Sequence, residues 1–115
     1  MTLAEVNAIL TTRGYSADFI HDDWRAESFN GVLLMRREIN PSAVEIHAVV
    51  PPSAMRQCFD TCRQIIAAMA ALGYLFVLTT IPAGQYKTSH KLAVRMGFRQ
   101  IDCYNDDIIY IREAQ

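Results

Sequence analysis

The chain has little from which a covalent staple or a metal cluster could be built. It holds three cysteines. Cys58 and Cys62 stand four apart in a helical pattern, and Cys103 falls in a late strand pattern. That is too few and too irregular for a disulfide scaffold, and it fits a reduced, cytoplasmic protein. Charge of one sign is missing too. Eleven Lys and Arg against twelve Asp and Glu leave a formal net charge of −1, which supplies no long-range field toward nucleic acid or an anionic membrane. No apolar run approaches the length of about 18 residues that a membrane span needs. The opening MTLAEVNAIL has no basic block followed by an apolar one, as a secretory leader would. Repeats and low-complexity tracts are absent.

What remains is core-forming material. At 51% hydrophobic and 20% charged over 115 residues, the chain can bury an ordinary core as one domain, residues 1–115, without disulfide or metal. Thr2 and Glu5 fit a capping box, and Leu3, Val6, Ile9 and Leu10 share a helical face, so a helix is expected over about 3–13, closed by Gly14. YSADFIHDDWRAESFN (15–30) keeps no period; a short strand or half-turn and then a loop are expected, with Trp24 and Phe29 covering one end of the core. GVLLMRRE (31–38) and AVEIHAVV (43–50) predict an antiparallel strand pair across Asn40-Pro41-Ser42. In the second strand Val44, Ile46, Ala48 and Val50 face one way, and Ala43, Glu45, His47 and Val49 the other.

Pro51-Pro52 stops that strand. Ser53 is placed to cap the longest helix, 53–72, whose Met55, Phe59, Cys62, Ile65 or Ile66, Met69 and Leu72 recur at helical spacing before Gly73. YLFVLTTI (74–81) has the composition of an interior strand, so strand, helix and strand predict a right-handed parallel βαβ crossover. Thr88 or Ser89 caps a short helix to Met96, ended by Gly97. FRQIDCY and IIYIRE then form a hairpin across NDD. The order predicts an α/β (α+β) class with a mixed central sheet flanked by helices. Cys58, Cys62 and His47 fall short of the four convergent ligands of a structural zinc site, so no metal is expected.

The stretch SHKLAVRMGFRQIDCY (89–104), a helix ended by Gly-Phe and followed by a hairpin, completes an order that resembles the GCN5-related N-acetyltransferase superfamily. The resemblance is strongest over residues 44–101, and LAVRMGF (92–98) is similar to the family's ending of that helix. It implies an acyl-CoA N-acyltransferase-like fold. In that fold a strand runs into a helix whose first amides hold the pyrophosphate of acetyl-CoA, and a later strand diverges to make a V for the pantetheine arm. Carried onto this chain, Val49, Val50, Ser53, Ala54, Met55 and Arg56 would contact acetyl-CoA. Glu45 or His47, two apart on one strand face, would take a proton from the amine. Otherwise both line the solvated side of a partly covered sheet. Tyr86 would return a proton to the thiolate, since the family's tyrosine position is Ala93 here.

The family's glycines are missing from PPSAMRQCFDTC, so Cβ atoms stand where bare amides would approach phosphate. Arg56 adds a charge there and Asp60 opposes it. His90, Lys91, Arg95 and Arg99 would attract the CoA 3′-phosphate or an acidic partner, or are simply a solvated face. The acceptor would be a small-molecule amine or a protein N-terminus.

The compact length and altered motifs also resemble small, divergent phage-encoded members. These imply a second expectation: a non-catalytic morphogenesis or virion-associated protein, in the host cytoplasm or the virion. It would act through a protein partner or self-association, by way of exposed Trp24, Phe29 and Met35 or the edge of the closing hairpin.

Overall fold

The computed structural model describes residues 24–115, apart from the side chain of Pro52. The helix expected over 3–13 and the first half of the unperiodic segment lie outside them. Among the described residues six strands form one sheet in the order β1-β2-β3-β4-β6-β5. They are β1 (Arg25–Phe29), β2 (Val32–Asn40), β3 (Ala43–Val49), β4 (Phe76–Pro82), β5 (Arg99–Tyr104) and β6 (Asp107–Glu113). Two helices, α1 (Cys58–Ala71) and α2 (Lys87–Arg95), follow β3 and β4. Every neighbouring pair is antiparallel except β3 with β4. The mixed sheet flanked by helices is therefore present, with the β3–α1–β4 crossover at its centre.

Alternation along the strands sorts the residues onto two faces. Leu34, Val44, Ile46, Val77, Ile81 and Tyr110 meet Ile65, Ile66 and Met69 of α1, Ala93 of α2 and Met96 just after it in the main core. Leu33, Met35 and Val49 form a smaller cluster, with Trp24 and Ala26 packed on it. Met35 is buried and Trp24 and Phe29 are half-buried, so these three do not form the exposed apolar surface considered above.

β1 exists because Asn30 and Gly31, both at positive φ (48° and 80°), make a tight hairpin into β2, the turn whose twist suits two flanking strands. The long helix starts differently from expectation. Pro51 is the cap residue of a 3-10 turn over Pro52–Gln57, with no side-chain capping bond, and exposed Ser53 caps nothing. Met55 and Leu72 are likewise exposed, so the apolar stripe is shorter than the spacing predicted. α2 begins after Tyr86, which holds a left-handed φ of 54° and makes no side-chain cap bond; Thr88 and Ser89 lie inside the helix.

The Gly-Phe pair is a folding device. Gly97 takes φ +89° and donates to the Val94 carbonyl, while Phe98 donates to that of Ala93, the paired bonds of a Schellman cap. Phe98 is thereby turned back into the core.

Candidate functional site

The parallel ladder is short. β3 and β4 pair only at Ala43↔Phe76, Val44↔Val77 and Glu45↔Leu78. Beyond Glu45, β3 stays with β2 as far as Val49↔Leu33, and β4 stays with β6 as far as Pro82↔Asp107. The two central strands therefore part at their C-terminal ends while each remains anchored to its outer neighbour. Between them lies a cleft of about 120 Å³. Ile46 to Val49 form one wall and Thr79 to Pro82 the other; Cys62 and Ile66 of α1, and Ala93, Met96 and Phe98 on the α2 side, form an apolar floor.

Of the residues expected to serve a site, His47, Val49 and Tyr86 line this cleft. Val50, Ser53, Ala54, Met55 and Arg56 are not part of the described wall. Ser53, Met55 and Arg56 are exposed on the 3-10 turn and Ala54 is buried, its N–H donated to the Pro51 carbonyl at 2.9 Å.

Glu45 is not on a solvated surface: it is 7% exposed. Arg37, directly opposite it on β2, donates to one carboxylate oxygen at 2.7 Å, and His47 Nε2 lies 3.3 Å from the other. Trp24 packs against both Arg37 and His47. Its ring centroid is 5.0 Å from that of His47, and the Arg37 guanidinium lies 4.8 Å above it. Burial by itself pushes the Glu45 carboxyl up. The hydrogen bonds and charges of His47 and Arg37 outweigh burial and hold it at about 2. An ionised carboxylate accepts only, so the proton between the two residues sits on His47 Nε2, and the lone pair of the neutral ring is on Nδ1.

A second histidine braces the cleft's lip. His90 on α2 donates from Nε2 to the Pro82 carbonyl at 2.9 Å, and its Nδ1 accepts from the Tyr110 hydroxyl at 2.7 Å. A carbonyl cannot donate, which fixes that tautomer for the neutral ring. Burial pushes the Cys62 thiol in the floor up to about 11, with Cys58 adding to the rise; this thiol is no nucleophile near neutrality. Among the described residues no three His, Cys, Asp or Glu side chains converge to hold a metal ion, and no helix is long and apolar enough to cross a membrane.

Sequence reasoning missed Arg37 and Tyr110, and it gave Trp24 and His90 other roles: a cover for one end of the core and part of a basic, anion-attracting face. Arg37 was reachable, because the antiparallel register of the strand pair sets a cation across from Glu45; the His90–Tyr110 bond joins residues twenty apart and left no local signal.

A mixed sheet whose central parallel strands part over a cleft, with a helix running from the end of each, defines the architecture of the GCN5-related N-acetyltransferases, and this chain has that fold. No protein-family model and no curated protein matches its sequence. Solved structures match by shape. An aminoglycoside 6′-N-acetyltransferase complexed with coenzyme A superposes with a TM-score of 0.69 at 10% identity, covering 98% of this chain and 91% of that one. The Campylobacter jejuni N-acetyltransferase PseH, in complex with acetyl coenzyme A, gives 0.63 at 14% identity over 73% of this chain and 60% of its own. A domain from Methanocaldococcus jannaschii gives 0.62 at 15%, over 71% and 55%. The chain thus spans little more than half the length of the last two, and identities this low establish the fold alone.

Proposed function

We propose that the chain transfers an acyl group from a pantetheine thioester, of which acetyl-CoA is the form the fold suggests, to an amine. The observation that carries this reading is the parting of β3 and β4 beyond Glu45↔Leu78 over an apolar cleft. Backbone groups freed from the ladder on the facing edges suit the amides of a pantetheine arm; the apolar floor suits its hydrocarbon. The diphosphate end of CoA finds a poorer fit, on a turn with two prolines and no glycine.

When bound, such a thioester supplies an activated acyl carbon: the amine nitrogen bonds to it, the carbon–sulfur bond breaks, and amide and thiol result. The residues manage the protons. His47 takes one from the ammonium, and Glu45, kept ionised by Arg37, fixes the ring's orientation and stabilises the imidazolium. Tyr86 at the start of α2 supplies a proton to the leaving sulfur and takes back the second proton that the nitrogen sheds as the amide forms. The apolar floor keeps water from the thioester.

Calorimetry with acetyl-CoA tests the reading. Saturable binding is expected, weakened about tenfold or more by Ala93→Phe, which fills the floor; no binding at millimolar ligand refutes it.

A non-catalytic role through protein contacts is the second reading, and a virion or head-assembly setting would belong to it. One observation favours it: β5 is exposed along its whole length at the sheet's edge, with Ile101 and Tyr104 50% and 68% exposed.

A further inference from the structure

We infer that the acyl group arrives on the phosphopantetheine arm of an acidic carrier protein, which docks on the exposed faces of α1 and α2, rather than as free acyl-CoA. This rests on the acyl-transfer reading above and narrows its donor.

Two independent observations lead to it. The first is the mismatch between the two ends of the site. The cleft accepts an arm, but the segment that would meet a diphosphate offers few donors. Of the four residues Pro51 to Ala54, the two prolines have no N–H, and Ala54 gives its own to the Pro51 carbonyl. A carrier-bound arm shares the pantetheine thioester but ends in one phosphodiester on a protein serine. It asks for no grip on a diphosphate or a nucleoside.

The second observation is charge. Lys87, Lys91 and Arg95 recur every four residues along the exposed side of α2, one face of a helix. The Arg95 guanidinium lies 5.1 Å from the Phe59 ring of α1, and that of Arg63 lies 6.0 Å from the same ring, so the stripe continues onto the neighbouring helix. Arg56, exposed in the last turn of the 3-10 segment that leads into α1, adds a further cation. Against these five cations the turn and the two helices carry one acid, Asp60, although the whole chain has a net charge of −1. From Lys87 to Arg95 the stripe runs about 12 Å along the helix. A single 3′-phosphate cannot engage cations spread that far, whereas an acidic protein surface beside the cleft can.

The experiment compares three donors by calorimetry: acetyl-CoA, S-acetyl-pantetheine and an acetyl-loaded bacterial acyl carrier protein. Acetyl-CoA and acetyl-pantetheine should bind within about threefold of each other, the nucleotide adding little. The loaded carrier should bind about tenfold or more tighter than acetyl-pantetheine in about 50 mM salt, and that advantage should vanish near 500 mM. The triple reversal Lys87→Glu, Lys91→Glu, Arg95→Glu, on exposed positions, should abolish the carrier's advantage in low salt as well. Acetyl-CoA binding tenfold tighter than acetyl-pantetheine overturns the inference while leaving acyl transfer standing. So does a carrier that binds no tighter than acetyl-pantetheine in low salt. If none of the three binds at millimolar concentration, the acyl-transfer reading falls and the inference goes with it.

Discussion

Replacing Glu45 by Gln tests the electrostatic reading of the Trp24–Arg37–Glu45–His47 group. The amide keeps the shape but not the charge that Arg37 meets at 2.7 Å. A carboxyl moved from its ordinary 4.5 to about 2 by folding corresponds to about 3 kcal/mol of stability at neutral pH. Arg37 keeps 31% of its side chain exposed, and solvent screening lowers the expected loss for Glu45→Gln to about 2 kcal/mol. The sign follows from the direction of the shift. The folded-state value is depressed, so the contribution is complete above about pH 4.5 and is lost as pH falls toward 2. Urea unfolding of wild type and Glu45→Gln at pH 7, 5, 4 and 3.5 should show a gap of about 2 kcal/mol at pH 7 and 5 that narrows at the two lower values. A gap below about 0.5 kcal/mol at pH 7, or one that stays constant down to pH 3.5, would refute the claim that an ionised, buried Glu45 holds this face together.

Three further outcomes follow from named positions. Gly97→Ala should cost about 1 kcal/mol, seen as a lowered melting temperature: a Cβ there meets only Arg112 Nη1 at 3.8 Å, but φ is +89°, a region alanine enters with strain. Asp106→Gly should stabilise by about 0.5 kcal/mol in urea unfolding, because Asp106 stands at φ 64° in the turn between β5 and β6, where glycine is favoured. With iodoacetamide at about pH 8, peptide mapping should find exposed Cys103 alkylated well before Cys62, whose thiol is pushed up to about 11; comparable rates would contradict the buried floor.

The central crossover was legible because each of its parts carries a local cause. Pro51-Pro52 cannot continue a ladder, the spacing of Phe59, Cys62, Ile66 and Met69 is helical, and the run from Phe76 to Ile81 is apolar enough to lie inside a sheet. The parting of β3 and β4 was legible only through the family resemblance, since nothing in HAVV or TTIP marks the loss of pairing. β1 was obscured because RAESF lies on an edge with mostly exposed residues and owes its conformation to pairing with β2; the Asn-Gly dipeptide was its one plain mark. The burial of Glu45 could not be read from β3 alone, because its carboxylate is met by Arg37, which the neighbouring strand β2 brings opposite it. Ser53 failed as a cap for a local reason: the prolines before it set up a tighter turn, so the chain enters the helix without a side-chain bond.

β6 carries a consequence of its position. It follows β5 in sequence, yet it lies inside the sheet, joined to β4 on one side and β5 on the other. Loss of β6 would therefore uncover a row of hydrogen-bonding groups along Phe76–Pro82, a segment rich in β-branched and apolar side chains. Such a segment, deprived of its neighbour, is a template for pairing with other copies. Degraded or misfolded molecules of this protein should accordingly accumulate as fibrous aggregate rather than as soluble fragments.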